Sequence, residues 1–457
     1  MYEVTTQAFA NGGACIASIE TGSEQGKKVF VWGALPNERV SIQVTRDTKH
    51  YLVANVARII KASEHRVLPR DVDSYASTSP LQIADFEYEN SLKAGLIKDA
   101  FTLQKTDIER LSARKVEVKS DGNEYNYRNK YNFAFLPNTF DFACTLRGTH
   151  TLFPAKTISL PTNAVLSAAN MITEPLTAIN FNPKYIKSLL IRSNSDEKTI
   201  ARLYVTNEEL AENVMDVLSK SEKLTKLAQS NALEVVFYDN FLPPKQSKSL
   251  KNSQKHSNSL RKRQLTLTDT ICNRTFTYSI DSFWQVNQAV YEMCLRDIKN
   301  ALKRLRAGKN RENACEILDL YSGVGSIGLT VSEKDDFITL VEIDENSHEA
   351  ALINIQQNSF QHAKAIKTSA DKVLSHISKD QILILDPPRA GISTSLQSKI
   401  QEVMPKTVIY LSCNPVTQAR DIKPLLEKYK IEFNCGYNFF SKTAHVEHLV
   451  VLSRENE

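Results

Sequence analysis

The chain has 457 residues, a length that predicts about three domains rather than a single core. A hydrophobic content of 42% and a charged content of 24% are typical of a globular protein, and no apolar run is long enough to cross a bilayer, which excludes a membrane protein. The net charge of +5 is too small to indicate nucleic-acid binding by itself, so local clusters of basic residues are more informative.

The seven cysteines include no Cys-x-x-Cys pair, which argues against a disulfide framework and against a zinc or iron–sulfur cage. We therefore expect free thiols and no metal. The N-terminus carries an acidic residue rather than a basic cluster followed by an apolar stretch, so no secretory signal is visible. These features predict a cytoplasmic protein.

Residues 1–65 have the pattern of a small OB-like barrel. An apolar run at Val29–Trp32 leads to a turn at Pro36–Asn37, after which apolar and polar residues alternate, as in a half-buried strand. The polar faces carry Arg46, Lys49 and Tyr51, a mixture of cations and an aromatic ring that suits RNA. An ordinary solvated barrel face explains these three residues equally well.

Residues 66–270 are predicted to form a mixed α+β central domain that binds RNA. Apolar residues on one side predict a helix over 91–118, and Tyr125–Tyr131 is strand-like. Its tyrosines suit base stacking but are more often core residues. The stretch 243–263 holds seven basic residues and no acid, which predicts a mobile loop that contacts phosphates or else a solvated surface loop.

Residues 271–457 alternate apolar strands with amphipathic helices, the pattern of a mostly parallel, doubly wound α/β sheet. Helices are predicted over 345–360 and 395–404. The predicted strands are Cys315–Tyr321, Phe337–Ile343, Ile382–Leu385, Val408–Leu411 and His445–Leu452. This part of the chain therefore predicts a class I, Rossmann-like domain.

The first of these strands leads through Asp319 into Gly323-Val324-Gly325, where small residues allow a ligand to approach the backbone. The second strand ends near Glu342, a carboxylate that can accept hydrogen bonds from ribose hydroxyls. This arrangement resembles the nucleoside-binding half of class I methyltransferases, whose ligand is S-adenosylmethionine. A dinucleotide is disfavoured because no second mononucleotide-binding half follows.

A carboxylate and a thiol follow two successive strands, in Asp386–Gly391 and Leu411–Pro415. Asp-Pro-Pro is similar to a signature of amino-methyltransferases, but Arg389 replaces the aromatic residue that would stack the base. Cys413 indicates another chemistry, because a thiolate that adds to C6 of a pyrimidine makes C5 nucleophilic. That reaction needs a base, and Glu447 is the candidate; a carboxylate on an edge strand facing water is the alternative.

Three C-terminal segments resemble, in the same order, the motifs of the RNA uracil-C5 methyltransferases, the family that makes 5-methyluridine in tRNA and ribosomal RNA. They are Asp386–Gly391, Leu411–Pro415 and Thr443–Glu447. Phe283–Asn287 is similar to the family's Phe-x-Gln-Val-Asn segment, and residues 1–62 resemble its N-terminal TRAM barrel. The resemblance covers essentially the whole chain, and it implies that the helix predicted over 91–118 packs on the C-terminal domain.

The resemblance implies that Cys413 is the nucleophile and Glu447 the proton acceptor. From its position, we expect Phe283 to stack beside the target base. The resemblance also implies a set of residues around S-adenosylmethionine: Gln285, Tyr321, Ser326, Glu342, Asp371 and Asp386. Tyr321 stands where the family usually has phenylalanine, Ser326 replaces a commoner asparagine, and Asp371 is matched only by its place after the third strand.

Many relatives hold an iron–sulfur cluster with four cysteines just after the barrel. This chain has no cysteine in 67–82, so no cluster is expected. Ser441 also departs from the family, which usually has proline there.

These observations predict a monomeric enzyme that methylates uracil C5 in RNA, with 23S ribosomal RNA as the expected substrate and tRNA as the alternative. Three other hypotheses stay open from the residues themselves. An amino-methyltransferase would use Asp386 without Cys413, and an RNA-binding or remodelling protein would need no methyl donor. A DNA cytosine-C5 enzyme shares the thiol chemistry but places its nucleophile after a proline, whereas Pro415 follows Cys413 here.

Overall fold

The computed structural model of the protein describes residues 2–105, 116–221, 233–237, 265–307 and 314–455. The predicted basic loop at 243–263 lies outside the described residues. Contacts divide the chain into two compact units, and each is described by itself. The first unit comprises residues 1–124, 270–276 and 283–457, and the second comprises 125–269 and 277–282.

The first unit begins with a closed five-stranded barrel in the order β1-β2-β3-β5-β4. Its strands are β1 (Tyr2–Phe9), β2 (Cys15–Ser18), β3 (Lys28–Trp32), β4 (Arg39–Asp47) and β5 (Tyr51–Lys61). Closure leaves no unpaired edge, and alternate residues such as Val29, Val31, Val40 and Ile42 fill the interior. The barrel predicted from alternation is confirmed.

Helix α1 (Phe86–Leu103) joins the barrel to the rest of its unit, after a helical turn at Tyr75–Thr78. It begins at Phe86 because the carboxylate of Asp85 accepts from the backbone N–H of Tyr88 at 2.8 Å. The prediction of a helix over 91–118 is therefore wrong at its start, and it is wrong at its end because Val118–Lys119 forms strand β6.

Two sides of α1 pack within the first unit. Ile97 and Phe101 lie in the core of the C-terminal sheet, as expected, while Leu92 and Leu96 lie against the barrel core. This packing explains why residues 66–124 group with the barrel and the C-terminal sheet, whereas the sequence predicts that the central domain begins at 66.

The second unit contains a six-stranded sheet in the order β12-β11-β10-β7-β8-β9. Its strands are β7 (Lys130–Phe135), β8 (Phe142–Thr145), β9 (Leu152–Pro154), β10 (Ile186–Ser193), β11 (Thr199–Val205) and β12 (Leu233–Phe237). Helices α2 (Asn163–Ala178) and α3 (Glu208–Ser219) pack on it. The strand predicted at Tyr125–Tyr131 is mostly irregular, because Asn126 has a left-handed backbone with φ of 54°.

A hairpin follows, formed by β13 (Thr266–Ile271) and β14 (Arg274–Ser279). The C-terminal domain then forms an eight-stranded sheet in the order β17-β16-β15-β18-β19-β21-β20-β6. Its remaining strands are β15 (Glu316–Leu320), β16 (Phe337–Glu342), β17 (Ala363–Lys367), β18 (Ile382–Leu385), β19 (Thr407–Ser412), β20 (Tyr429–Tyr437) and β21 (Glu447–Arg454). Strands β15 to β19 are mutually parallel, and β21 runs antiparallel to both of its neighbours.

Helices connect these strands. They are α4 (Gln288–Arg306), α5 (Ser326–Val331), α6 (Glu345–Gln357), α7 (Thr394–Val403) and α8 (Pro415–Ile422). The doubly wound fold class is confirmed. Strand β15 lies between β16 and β18, so a crevice opens at the carboxyl ends of these strands, where ligands bind in such folds. Within the described ranges, no helix is both long and apolar enough to span a membrane.

The contact between α1 and β20 can be tested at Gly436. A methyl group there would lie 2.8 Å from side-chain atoms of both Ile97 and Val118, which is closer than carbon atoms pack. Gly436→Ala is expected to lower the free energy of unfolding by about 1–3 kcal/mol, measured by urea denaturation.

Gly95, on the open side of α1, is the matched control. A methyl group there meets no atom within 4 Å, so Gly95→Ala is expected to raise the free energy of unfolding by up to about 1 kcal/mol. Equal effects of the two substitutions would contradict the packing of α1 on β20.

Candidate active site

The register of the sheet brings the predicted nucleophile and base together. Ser412, the last residue of β19, pairs with His448 of β21. Cys413 follows Ser412 and Glu447 precedes His448, so the next step of the antiparallel register sets Cys413 opposite Glu447. Residues opposite each other in neighbouring strands have side chains on the same face of the sheet.

Glu447 is buried. It begins β21, between β19 and β20, and only 4% of its surface is exposed. The alternative of an edge-strand carboxylate facing water is therefore wrong, and the predicted strand His445–Leu452 begins two residues too early. Burial of an acid is costly, so a buried acid beside a thiol is better suited to accepting or donating a proton than a surface carboxylate in contact with water.

The loop after β18 lies beside these two residues and carries Asp386 and Arg389. The backbone carbonyl of Arg389 accepts from the side-chain amide of Asn414 at 3.0 Å and from the hydroxyl of Thr417 at 3.2 Å. Its guanidinium lies 2.6 Å from Nδ1 of His445. The three sequence motifs are thus tied to one another by hydrogen bonds.

A second set of contacts holds the same loop after β18. The Asp421 carboxylate accepts from the backbone N–H of Ile392 at 2.9 Å and from the Tyr410 hydroxyl at 2.7 Å. Gly391 has a φ of 80°, and a methyl group there would lie 2.3 Å from the Asp421 carboxylate. Only glycine therefore fits at the end of the Asp-Pro-Pro-Arg segment.

Burial dominates the electrostatics of this cluster. Burial, together with the Glu447 and Asp386 carboxylates, raises the pKa of the Cys413 thiol to about 11, and the Arg389 guanidinium partly opposes that rise. Burial raises the pKa of Asp386 to about 7. Burial and Asp386 also raise the pKa of Glu447 well above its ordinary value, again opposed by Arg389. In the free enzyme the sulfur is therefore a protonated thiol at neutral pH.

Four of the predicted cofactor residues line one cavity at the carboxyl ends of β15 and β18: Gln285, Tyr321, Ser326 and Asp386. Phe283, which is 60% exposed, lies at the same cavity. The hydroxyl of Ser322, also in the lining, is buried and has no hydrogen-bond partner among the described residues. A buried hydroxyl of this kind fits a polar ligand that supplies the missing partner.

The glycine loop shapes one wall of this cavity. Gly325 has a φ of 84°, and a methyl group there would lie 2.6 Å from a side-chain carbon of Leu340. The Glu342 carboxylate accepts from the backbone N–H groups of Gly323 at 2.8 Å and of Asp344 at 2.7 Å. This loop, the Ser322 hydroxyl and the acid at the end of β16 fit a nucleoside such as that of S-adenosylmethionine.

Asp371 and Asp319 have different surroundings from the carboxylates described so far. Asp371 accepts from the hydroxyl groups of Ser393 and Ser395 and lies near Tyr321, whose pKa it helps to raise. Neither Asp371 nor Glu342 lines the cavity with the other four predicted residues. Asp319 is fully buried beneath the loop, where it accepts from the backbone N–H of Gly328 at 2.9 Å, and burial raises its pKa to about 8. Asp319 therefore supports the loop rather than contacting a ligand.

Sequence reasoning missed the contribution of two side chains. Arg389 is treated there only as the residue that replaces an aromatic ring, although its place next to the thiol motif could have indicated a charge at the site. The hydroxyl groups of Tyr291 and Ser326 form a hydrogen bond of 2.6 Å, in which either can be the donor. This bond joins α4 to α5, and no local sequence pattern predicts it. Among the described residues, no group of three or more potential ligands could hold a metal ion.

Comparisons with known proteins agree with this geometry. Residues 248–455 match the model of the tRNA (uracil-5-)-methyltransferase family, and residues 1–57 match that of the TRAM domain. An uncharacterised RNA methyltransferase of Fusobacterium nucleatum is 25% identical over 95% of this chain and 92% of its own. One from Prochlorococcus marinus is 25% identical over 92% and 99%.

A solved structure has the same fold over almost the whole chain. It is the tRNA (uracil-54, C5)-methyltransferase of Pyrococcus abyssi in complex with S-adenosyl-L-homocysteine, with a TM-score of 0.70 and 17% identity over 98% of this chain and 100% of that one.

Fold and site together define a class I methyltransferase that acts on RNA. The chain is an RNA uracil-C5 methyltransferase whose residues 248–455 match the tRNA (uracil-5-)-methyltransferase family, with a TRAM domain at its N-terminus, and S-adenosylmethionine is its methyl donor.

The pKa of Cys413 gives a testable pH dependence. Alkylation by iodoacetamide follows the thiolate fraction, so its rate in the enzyme without RNA is expected to rise about tenfold per pH unit from about pH 7 to 10. The rate is measured on the Cys413 peptide by mass spectrometry. Arg389→Gln is expected to slow alkylation at each pH, because the guanidinium lowers the pKa. A plateau below about pH 9 would contradict the raised pKa.

Proposed function

We propose that Cys413 and Glu447 carry out the methylation of uracil C5 in RNA by transient covalent catalysis. The observation that carries this proposal is the register of β19 and β21, which sets the thiol opposite a buried acid beside the cofactor cavity. An amino-methyltransferase needs no such pair, because an exocyclic amine is nucleophilic without thiol addition.

The reaction begins at Cys413. The thiol loses its proton to water on the exposed side of the half-buried residue, and the sulfur adds to C6 of the uracil. C5 then becomes nucleophilic and would take the methyl group, whose bond to the donor's sulfur would break so that the sulfur leaves with the electron pair. Glu447 removes the proton from C5, the electron pair re-forms the C5–C6 double bond, and the C6–S bond breaks to release Cys413 as a thiolate.

The cofactor supplies an electrophilic methyl group. Gln285, Tyr321, Ser326 and Asp386 would hold it in the cavity, and Glu342 would bind its ribose hydroxyls. Asp371 would act through Tyr321, near which it lies. Phe283, exposed at the cavity, is suited to stack beside the uracil.

The proposed substrate is a uridine in 23S ribosomal RNA, because the N-terminal barrel is typical of that branch of the family. tRNA is the second candidate, favoured by the archaeal structural neighbour, an enzyme for tRNA uridine 54 that covers the barrel as well. The two substrates are separated by mapping 5-methyluridine in ribosomal and transfer RNA from cells with and without the protein.

RNA containing 5-fluorouridine tests the covalent step. Fluorine at C5 cannot be removed as a proton, so the C6–S bond cannot break after methylation. In the presence of S-adenosylmethionine we expect a protein–RNA adduct that survives denaturing electrophoresis and that maps to Cys413.

Cys413→Ala is expected to abolish both the adduct and methylation. Full activity of this variant would support an amino-methyltransferase and refute the covalent mechanism. With ordinary uridine, Glu447→Gln is expected to form a persistent adduct, because methylation proceeds but the C5 proton stays in place.

A further inference from the structure

The catalytic acid is preceded by a loop, Asn438–Val446, that is held by buried charges from a distant part of the chain. Helix α1 contributes Glu89 and Lys93, both fully buried. Oε1 of Glu89 accepts from the backbone N–H of Lys442 at 2.8 Å and from the amide of Asn438 at 2.9 Å. One carboxylate oxygen therefore fixes two points of the loop.

Lys93 contacts the same loop. Its ammonium group donates to Glu89 at 2.8 Å, to Oδ1 of Asn438 at 2.5 Å and to the backbone carbonyl of Phe440 at 3.0 Å. An ammonium group has three protons to donate, so these contacts satisfy it completely.

Lys442 completes the cluster from inside the loop. Its side chain is fully buried, and its ammonium group lies 2.5 Å from a carboxylate oxygen of Glu124, 3.0 Å from the carbonyl of Ala84 and 3.5 Å from Glu89. Its backbone is left-handed, with a φ of 64°, which is unusual for a residue other than glycine. Two lysines thus face two glutamates, and the cluster is neutral overall.

The loop leads directly to the catalytic groups. Lys442 is followed by Thr443, whose hydroxyl accepts from the backbone N–H of His445 at 3.3 Å. His445 contacts the guanidinium of Arg389, and two residues later Glu447 begins β21. The backbone carbonyl of Lys442 also accepts from the N–H of Leu81 at 3.0 Å, so the loop is held on two sides.

We infer that Lys442 is a positioning residue for Glu447: through its ion pairs with Glu89 and Glu124 it holds the Asn438–Val446 loop so that the carboxylate reaches the C5 proton. This inference rests on the proposed function. A buried ion pair tolerates only narrow geometry, so it fixes a loop more strictly than apolar packing does. Proton abstraction requires placement of that kind.

Lys442→Met is the main test. The substitution keeps most of the side-chain volume but removes the charge. We expect kcat to fall about 10- to 100-fold while KM for RNA and binding of S-adenosylmethionine stay within about twofold, because only the base is displaced. With ordinary uridine and S-adenosylmethionine, the variant is expected to accumulate a Cys413–RNA adduct, since elimination becomes slow. Lys442→Arg is expected to restore turnover in part.

Arg306→Met is the matched control. It removes a partly buried cation of the same unit, whose guanidinium lies 3.0 Å from Asp336 at the other edge of the sheet. We expect a comparable loss of thermal stability without any adduct. Glu124→Gln is the milder second variant: the Glu124 side chain is 39% exposed, so its substitution leaves no buried void, and it decides the question if Lys442→Met does not fold.

The outcomes distinguish a failure of the positioning role of Lys442 from a failure of the proposed function. If Glu447→Gln accumulates the adduct but neither Lys442→Met nor Glu124→Gln does, the positioning role is overturned and the proposed function stands. If Glu447→Gln forms no adduct and Cys413→Ala keeps its activity, the proposed function fails and this inference fails with it.

Discussion

The chemistry of this molecule depends on one strand that runs against its neighbours. Strand β21 enters the sheet antiparallel between β19 and β20, so its first residue meets the residue that follows the last of β19. In an all-parallel sheet the start of a strand lies at the edge opposite to the carboxyl ends. The reversed strand brings an acid from its beginning to the edge where the thiol, the Asp-Pro-Pro-Arg loop and the cofactor cavity already lie.

The second constraint is the low polarity of that edge. Cys413, Asp386 and Glu447 lie close enough to interact electrostatically, and burial raises the pKa of each. The guanidinium of Arg389 lowers the pKa of both Cys413 and Glu447, so one cation acts on both the proposed nucleophile and the proposed base. A thiol that stays protonated without substrate is also protected from oxidation, because the thiolate is the form that oxidants attack.

Much of the C-terminal domain follows from sequence. The five predicted strands begin and end within about two residues of the observed ones, because apolar runs bounded by polar turns are a strong local signal. The start of α1 is harder to predict, since it depends on the side chain of Asp85, and strand β6 is harder to predict because it depends on pairing of Val118 with Gly436. Tertiary contacts of that kind leave no periodic pattern.

The candidate site, like the fold, is only partly predictable from the sequence. Cys413, Glu447 and Asp386 stand in recognisable motifs, but the burial of Glu447 depends on the position of β21 within the sheet, which local sequence does not encode. The cluster of Glu89, Lys93 and Lys442 joins residues more than three hundred positions apart. Lysine and glutamate side chains are most often solvent-exposed. The sequence alone therefore suggests that these three residues lie on the surface, whereas the structure buries them.

The docking of α1 has a consequence for biosynthesis. This helix emerges from the ribosome early, yet the strands that cover its apolar side, including the partner of β6, belong to the last part of the chain. Until those strands are made, Ile97 and Phe101 have no native partners in the C-terminal sheet. The C-terminal domain therefore cannot complete its core as an excised fragment, and its final assembly must follow synthesis of almost the entire polypeptide.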